Sequence, residues 1–226
     1  MVIGTGLIAS LFQEIHRDDI LFFASGVSNS SETSEHQFKR EENLIRDSYS
    51  KNPEKLFVYF STCSIYDSSK NNSPYVLHKL HMEELIKNNV HNYLILRVSN
   101  AVGKGGNPNL LMNYLVRSLK ASEQINIHKK ATRNLIDVED IKAITLELIE
   151  SKNTNKIVNI AYPKNYSIPE LVEIIEEYFG IKTEHNFINT GSGYEISIPE
   201  TEKYFTHHNL QDKESYLCKI VEKYYS

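Results

Sequence analysis

Five short apolar runs, separated by stretches of helical periodicity, restrict this chain to a narrow set of folds. The runs are "MVIG" (1–4), "ILFFAS" (20–25), "KLFVYFST" (55–62), "NYLILRVS" (92–99) and "KIVNIAY" (156–162). Each is rich in β-branched or aromatic residues and nearly continuous rather than alternating, the pattern of strands covered on both faces. Between them the spacing predicts helices near 6–16, 35–51, 75–89, 108–121 and 138–151. Strand and helix in alternation imply an α/β protein with a parallel sheet and right-handed crossovers. A further helix is expected over 168–179, where Ser167 and Glu170 form a capping-box pattern and Gly180 supplies the stop. No repeat or Pro/Gly-rich linker interrupts the 226 residues, so the chain reads as a single interleaved domain.

Composition narrows the function classes. With 40% hydrophobic and 24% charged residues, no apolar window long enough for a membrane helix and no basic leader in "MVIGTGLIASLF", the expectation is a cytoplasmic protein without membrane contact. A net charge of −4, with adjacent basic pairs only at Lys39/Arg40 and Lys129/Lys130, argues against a nucleic-acid surface. Cys63 and Cys218 stand far apart without a CxxC, which fits reduced thiols. His78, His81, His207 and His208 lack acidic or thiol partners at ligand spacing, so no metal is expected and packing or surface roles suffice.

In "MVIGTGLIAS", Gly4, Gly6 and Ala9 lie between a strand and a helix opened by Leu7 and Ile8. Backbone amides in such a turn can hold a pyrophosphate, and the same turn also serves tight strand–helix packing. GxG recurs at Gly103/Gly105 and Gly191/Gly193 without that setting. A dinucleotide fold should place an acid after its second strand to hold the adenosine ribose. "HRDDILFFASGVSNSSE" has Asp18 and Asp19 before the strand and Ser25, Gly26 and Ser28 after it, so either that anchor is missing or this strand is not the fold's usual second strand.

The third run ends in a hydroxyl cluster, Ser61, Thr62 and Ser64, at the strand end where open parallel sheets gather their chemistry. Tyr75 follows Thr62 by 13 residues, in the first turn of the next helix, and Lys79 is one turn further on the same face. A nearby ammonium favours phenolate over phenol, which makes Tyr75 a candidate acid/base, Lys79 its tuner and Thr62 a hydrogen bond to the substrate oxygen. Tyr66/Lys70 and Tyr178/Lys182 repeat the spacing, but one falls in a polar loop and the other straddles Gly180. Cys63 lies beside this cluster without an evident base and reads as a buried thiol.

These ordered segments resemble the short-chain dehydrogenase/reductase superfamily, in particular its extended epimerases, dehydratases and reductases of nucleotide sugars. "VIGTGLIAS" resembles the cofactor turn, and "ILFFASGVSNS" a later strand whose small residues, here Ala24 and Ser25, lie beside the cofactor. "FVYFSTCSIYD" and "SPYVLHKLHMEELI" resemble the strand and helix carrying the catalytic Thr62, Tyr75 and Lys79, with Ser64 on the substrate side. "LILRVSNAVGKGGNPN" resembles the strand leading into substrate, its asparagine being Asn100, and "TRNLIDVEDI" the segment whose arginine meets the diphosphate, here Arg133. "YSIPELVEIIEEYFG" is similar to the family's C-terminal helix. Asn100 and Arg133 are also readable as a turn residue and a solvated arginine.

The resemblance implies a reduced Rossmann-like parallel sheet (residues 1–103 and 134–162) with a small C-terminal substrate-binding part (104–133 and 163–226), binding NAD or NADP. In it Lys79 holds the nicotinamide ribose, the substrate is a nucleotide-linked sugar from polysaccharide biosynthesis, and the protein is a homodimer. If "ILFFASG" is the family's later strand, the second and third strands are absent and with them most of the adenosine site. Dehydratases of the family carry Asp-Glu after the catalytic threonine; Cys63 and Ser64 stand here, which disfavours dehydration. Two readings follow: an NAD(P)-dependent reductase or epimerase, and a degenerate relative that binds or assembles without dinucleotide-dependent catalysis.

Overall fold

The computed structural model describes residues 1–105, 108 and 110–226. Gly106, Asn107 and Asn109, part of the segment assigned to substrate entry and bordering the helix expected over 108–121, lie outside the described residues. In chain order the elements are β1 (Val2–Ile3), α1 (Leu7–Ser10), β2 (Ile20–Phe23), α2 (Glu35–Lys51), β3 (Leu56–Thr62), α3 (Pro74–Asn89) and β4 (Tyr93–Val98). There follow β5 (Asn100–Val102), α4 (Leu111–Lys120), β6 (Ile125–His128), β7 (Thr132–Arg133), β8 (Leu135–Asp137), α5 (Val138–Glu150) and β9 (Lys156–Ile160). The chain closes with β10 (Tyr166–Ser167), α6 (Ile168–Phe179), β11 (His185–Ile188), α7 (Glu202–His207) and α8 (Lys213–Tyr225). No helix among the described residues is long and apolar enough to cross a membrane.

The chain divides into two compact units, each built from separate stretches: Met1–Ser99 with Val138–Ile160, and Asn100–Asp137 with Ala161–Ser226. Residues 100–103, 134–137 and 161–162, expected in the Rossmann-like core, go with the second unit, where β5 and β8 pair.

The first unit is a Rossmann-like parallel sheet in the order β1-β2-β3-β4-β9. β2 and β3 are buried at every residue, which is why their sequences are unbroken apolar runs. Phe23, Phe57, Tyr59 and Ile95 pack with Ile45 of α2 and Met82, Leu85 and Ile86 of α3. Strand order follows chain order without reversal, so β1 is an edge strand. Doubly wound sheets bind nucleotides in the crevice where strand order reverses; among the described residues this sheet has one wall of such a crevice. The helix expected over 6–16 forms only over Leu7–Ser10. Phe12 turns in to stack on Phe22 with ring centroids 4.4 Å apart, and the chain must then return to β2, which leaves no length for further helix.

In the second unit, β5 pairs with β8 and β6 with β11 in parallel, and β7 pairs with β10 antiparallel. The capping box forms as expected: Ser167 Oγ accepts from the Glu170 amide and Glu170 accepts from the Ser167 amide, while Gly180 ends α6 in the left-handed conformation at φ 63°. An aromatic core stacks Tyr162 on Tyr216 at 4.1 Å with Phe205 edge-on. Asn134 fastens it by donating to the Tyr162 carbonyl (2.8 Å) and accepting from the Tyr162 amide (3.0 Å).

Candidate active site

At the carboxyl edge of the first unit's sheet, β1 is followed by Gly4. Its φ is 129°, and a Cβ there would collide with the Ala24 carbonyl, so only glycine lets the exits of β1 and β2 approach this closely. Gly6, the N-cap of α1, faces open space. Leu7 and Ile8 begin α1, and Ala24 donates its amide to the Ile3 carbonyl at 2.8 Å. Ser25 is covered by Arg40 from α2, which donates to the Ser25 carbonyl at 3.0 Å.

Two strands inward, Thr62 ends β3. Its Oγ1 accepts from the Ser64 amide at 3.0 Å and starts the one-turn helix Cys63–Tyr66, leaving the Thr62 hydroxyl proton to donate elsewhere. Tyr75 enters from the first turn of α3, which Pro74 initiates. It is 6% exposed and clusters with Val27 and Val76, against which Phe38 and Ile65 pack. Tyr75 is thus held among segments leaving β2 and β3.

Lys79 is buried, and its ammonium donates to Glu41 Oε1 (3.0 Å) and to the Tyr59 hydroxyl (3.1 Å). Glu41, on α2, is fully buried. Its Oε1 also accepts from Tyr59 (2.7 Å), and its Oε2 accepts from the Val27 amide (2.6 Å) and meets His78 Nε2 (3.0 Å). Burial alone would raise the Glu41 pKa; the Lys79 charge, followed by the His78, Val27 and Tyr59 hydrogen bonds, reverses this and holds the carboxyl well below its ordinary range. Burial first, then Glu41, pushes the Tyr59 phenol well up. Gly26 closes over the pair: a Cβ there would lie 2.5 Å from Lys79 Nζ and 2.8 Å from Glu41 Oε1.

Neighbouring polar groups are structural. Ser61 Oγ donates to Glu83 at 2.6 Å, and Arg97 forks onto the same carboxylate with its shortest contact at 2.6 Å. Cys63 is fully buried beside Thr62, and burial pushes its thiol up to about 12, leaving no thiolate for nucleophilic chemistry. Among the described residues no three metal-ligating side chains converge.

The first unit therefore contains Thr62, Ser64, Tyr75, Lys79, Gly4, Gly6, Leu7, Ile8, Ala24 and Ser25, whereas Asn100 and Arg133 belong to the second. Asn100 donates to the Asn134 carbonyl at 2.6 Å, and Arg133 Nη1 donates to the carbonyls of Thr132 (2.7 Å) and Ser192 (3.1 Å). Glu41, Tyr59 and Arg40 were missed from sequence. Glu41 carried a signal: Phe38, Glu41, Ile45 and Ser48 recur at the spacing of one helix face, and an acid inside an apolar stripe calls for a buried cation.

Solved structures share this fold at low identity. RMD from Pseudomonas aeruginosa, complexed with NADPH, superposes with a TM-score of 0.69 at 14% identity, over 91% of this chain and 80% of that one. UDP-glucuronic acid 4-epimerase from Bacillus cereus, complexed with UDP-glucuronic acid and NAD, gives 0.68 at 18% identity over 96% and 79%. UDP-glucose 4-epimerase from Thermotoga maritima, with UDP-glucose, gives 0.69 at 15% over 95% and 81%. No curated protein matches. The model of the NAD dependent epimerase/dehydratase family matches residues 6–161, more than half of the sequence. Together with the Rossmann-like sheet, that match places the chain in the NAD dependent epimerase/dehydratase family.

Proposed function

We propose that this chain is an NAD(P)-dependent oxidoreductase or epimerase acting on a nucleotide-linked sugar, by keto-sugar reduction or epimerisation. The observation that carries the reading is that Tyr75 belongs to a buried cluster with Val27, beyond β2, against which Ile65, beyond β3, packs, with Thr62 at the end of β3. Tyr75 moves the proton of the sugar hydroxyl, and Thr62 and Ser64 hydrogen-bond the substrate. A dinucleotide, when bound, would supply the hydride transfer. On the diphosphate side the residues fit it: the Gly4 turn forces close backbone approach and Gly6 faces open space. On the ribose side they do not fit, since the Lys79 ammonium bonds Glu41 and Tyr59 beneath Gly26.

That misfit, with the sheet ending at β1, supports the second reading of a degenerate relative that binds or assembles without redox turnover. Fluorescence titration of the purified chain with NADH and NADPH separates the two, and no binding of either overturns the enzyme. If binding is seen, Tyr75→Phe should lower turnover of UDP-linked hexoses by about 10²–10⁴-fold with the circular dichroism spectrum unchanged; retained turnover removes Tyr75 as proton carrier. A cytoplasmic homodimer in polysaccharide biosynthesis belongs to the same reading, and Leu77 and Leu80, left exposed on α3, suit a subunit contact.

A further inference from the structure

We infer that Glu41 is a positioning residue that holds down the dinucleotide affinity of this chain by occupying the Lys79 ammonium from inside the protein. The inference rests on the dinucleotide-binding reading above. Four donors from three segments converge on one carboxylate: the Val27 amide after β2, the Tyr59 hydroxyl of β3, and His78 Nε2 and Lys79 Nζ of α3. Two of these meet each oxygen, so the acceptor sites of Glu41 are filled and the group is fully satisfied. The pair is dry, with side-chain exposures of 3% for Lys79 and 0% for Glu41. It is also roofed, since Gly26 passes so close that any side chain there would overlap both charges.

A ribose diol approaching from the strand ends finds two of the three ammonium hydrogens already given to Glu41 and Tyr59, and a second bond to Nζ would have to draw it away from its buried counter-charge. Separating a buried ion pair is costly because the low-dielectric surroundings stabilise neither charge alone. Ligand recognition by Lys79 therefore competes with an internal partner already at hydrogen-bond distance. Glu41 also adds a negative charge close beneath the region where an anionic dinucleotide would lie. Both effects act in the same direction.

The test is fluorescence titration with NADH and NADPH of the full chain, of Glu41→Gln and of Glu41→Gln/Lys79→Met, with folding checked by circular dichroism. Glu41→Gln should bind roughly tenfold or more tightly than the parent, the effect of one recovered charge-assisted hydrogen bond. The double variant, which leaves no buried charge unpaired, should bind within about twofold of the parent, because the parent's ammonium is not in use. Equal or weaker binding by Glu41→Gln overturns the inference, as does a double variant at least roughly tenfold weaker than the parent, since Lys79 would then be holding the ligand already. If Glu41→Gln does not fold, the double variant decides alone. Parental binding with no gain in the variants overturns only this inference, whereas no binding by any of the three overturns the dinucleotide reading as well.

Discussion

The two sides of the first unit's carboxyl edge solve opposite problems. Around Lys79, four donors from three segments converge on one carboxylate that is completely buried and completely hydrogen-bonded. Around Gly4, two residues of edge strand, a four-residue helix and an open glycine make the corresponding surface. The interior side is fixed by electrostatics that tolerate no missing partner, while the edge is fixed by one backbone conformation. The difference teaches that a helix lysine packed away from water is committed to the nearest permanent anion, because a buried ammonium needs a partner.

The contrast breaks most visibly at the buried pair. Lys79→Met alone strands the Glu41 carboxylate and should cost about 3–5 kcal/mol in urea unfolding, with most of this recovered in Glu41→Gln/Lys79→Met. A single-variant loss below about 1 kcal/mol would mean that water reaches the carboxylate.

At the edge, Gly4→Ala should cost about 1–3 kcal/mol from backbone strain, before its clash with Ala24 is counted. Gly6→Ala, at φ −79° with nothing within 4 Å, should stay within about 0.5 kcal/mol. Equal thermal shifts for the two would remove the distinction drawn between a forced turn and an open one.

Acid titration sharpens the comparison with the smallest effect. The folded pKa of Glu41 lies below its ordinary value of 4.5, so on acidification the unfolded chain takes up this proton first. Its stabilisation is fully present above that value and drains away as pH falls below it. The parent should lose stability in this range more steeply than Glu41→Gln/Lys79→Met, and parallel curves would mean that the carboxyl is not held down.

Much of the first unit is legible in its sequence. β2 and β3 are apolar runs because both faces are covered, and α2 occupies Glu35–Lys51 as its periodicity requires. The α6 cap and stop are local: Ser167, Glu170 and Gly180 act within a turn of their own positions. The shortened α1 was not legible, since it depends on Phe12 finding Phe22. Nor were the two-residue strands β7 and β10, whose pairing sets Thr132 against Ser167.

The sequence by itself determined the alternation of strand and helix, the turn at Gly4, and the order of Thr62, Tyr75 and Lys79, because periodicity, glycine conformations and i to i+4 spacing act over a few residues. Tertiary structure alone decided where the Lys79 ammonium goes. Glu41 lies 38 residues earlier in the chain, and only packing α2 and α3 on the same sheet brings the carboxylate to 3.0 Å from Nζ and removes the water that would otherwise have kept the two charges independent.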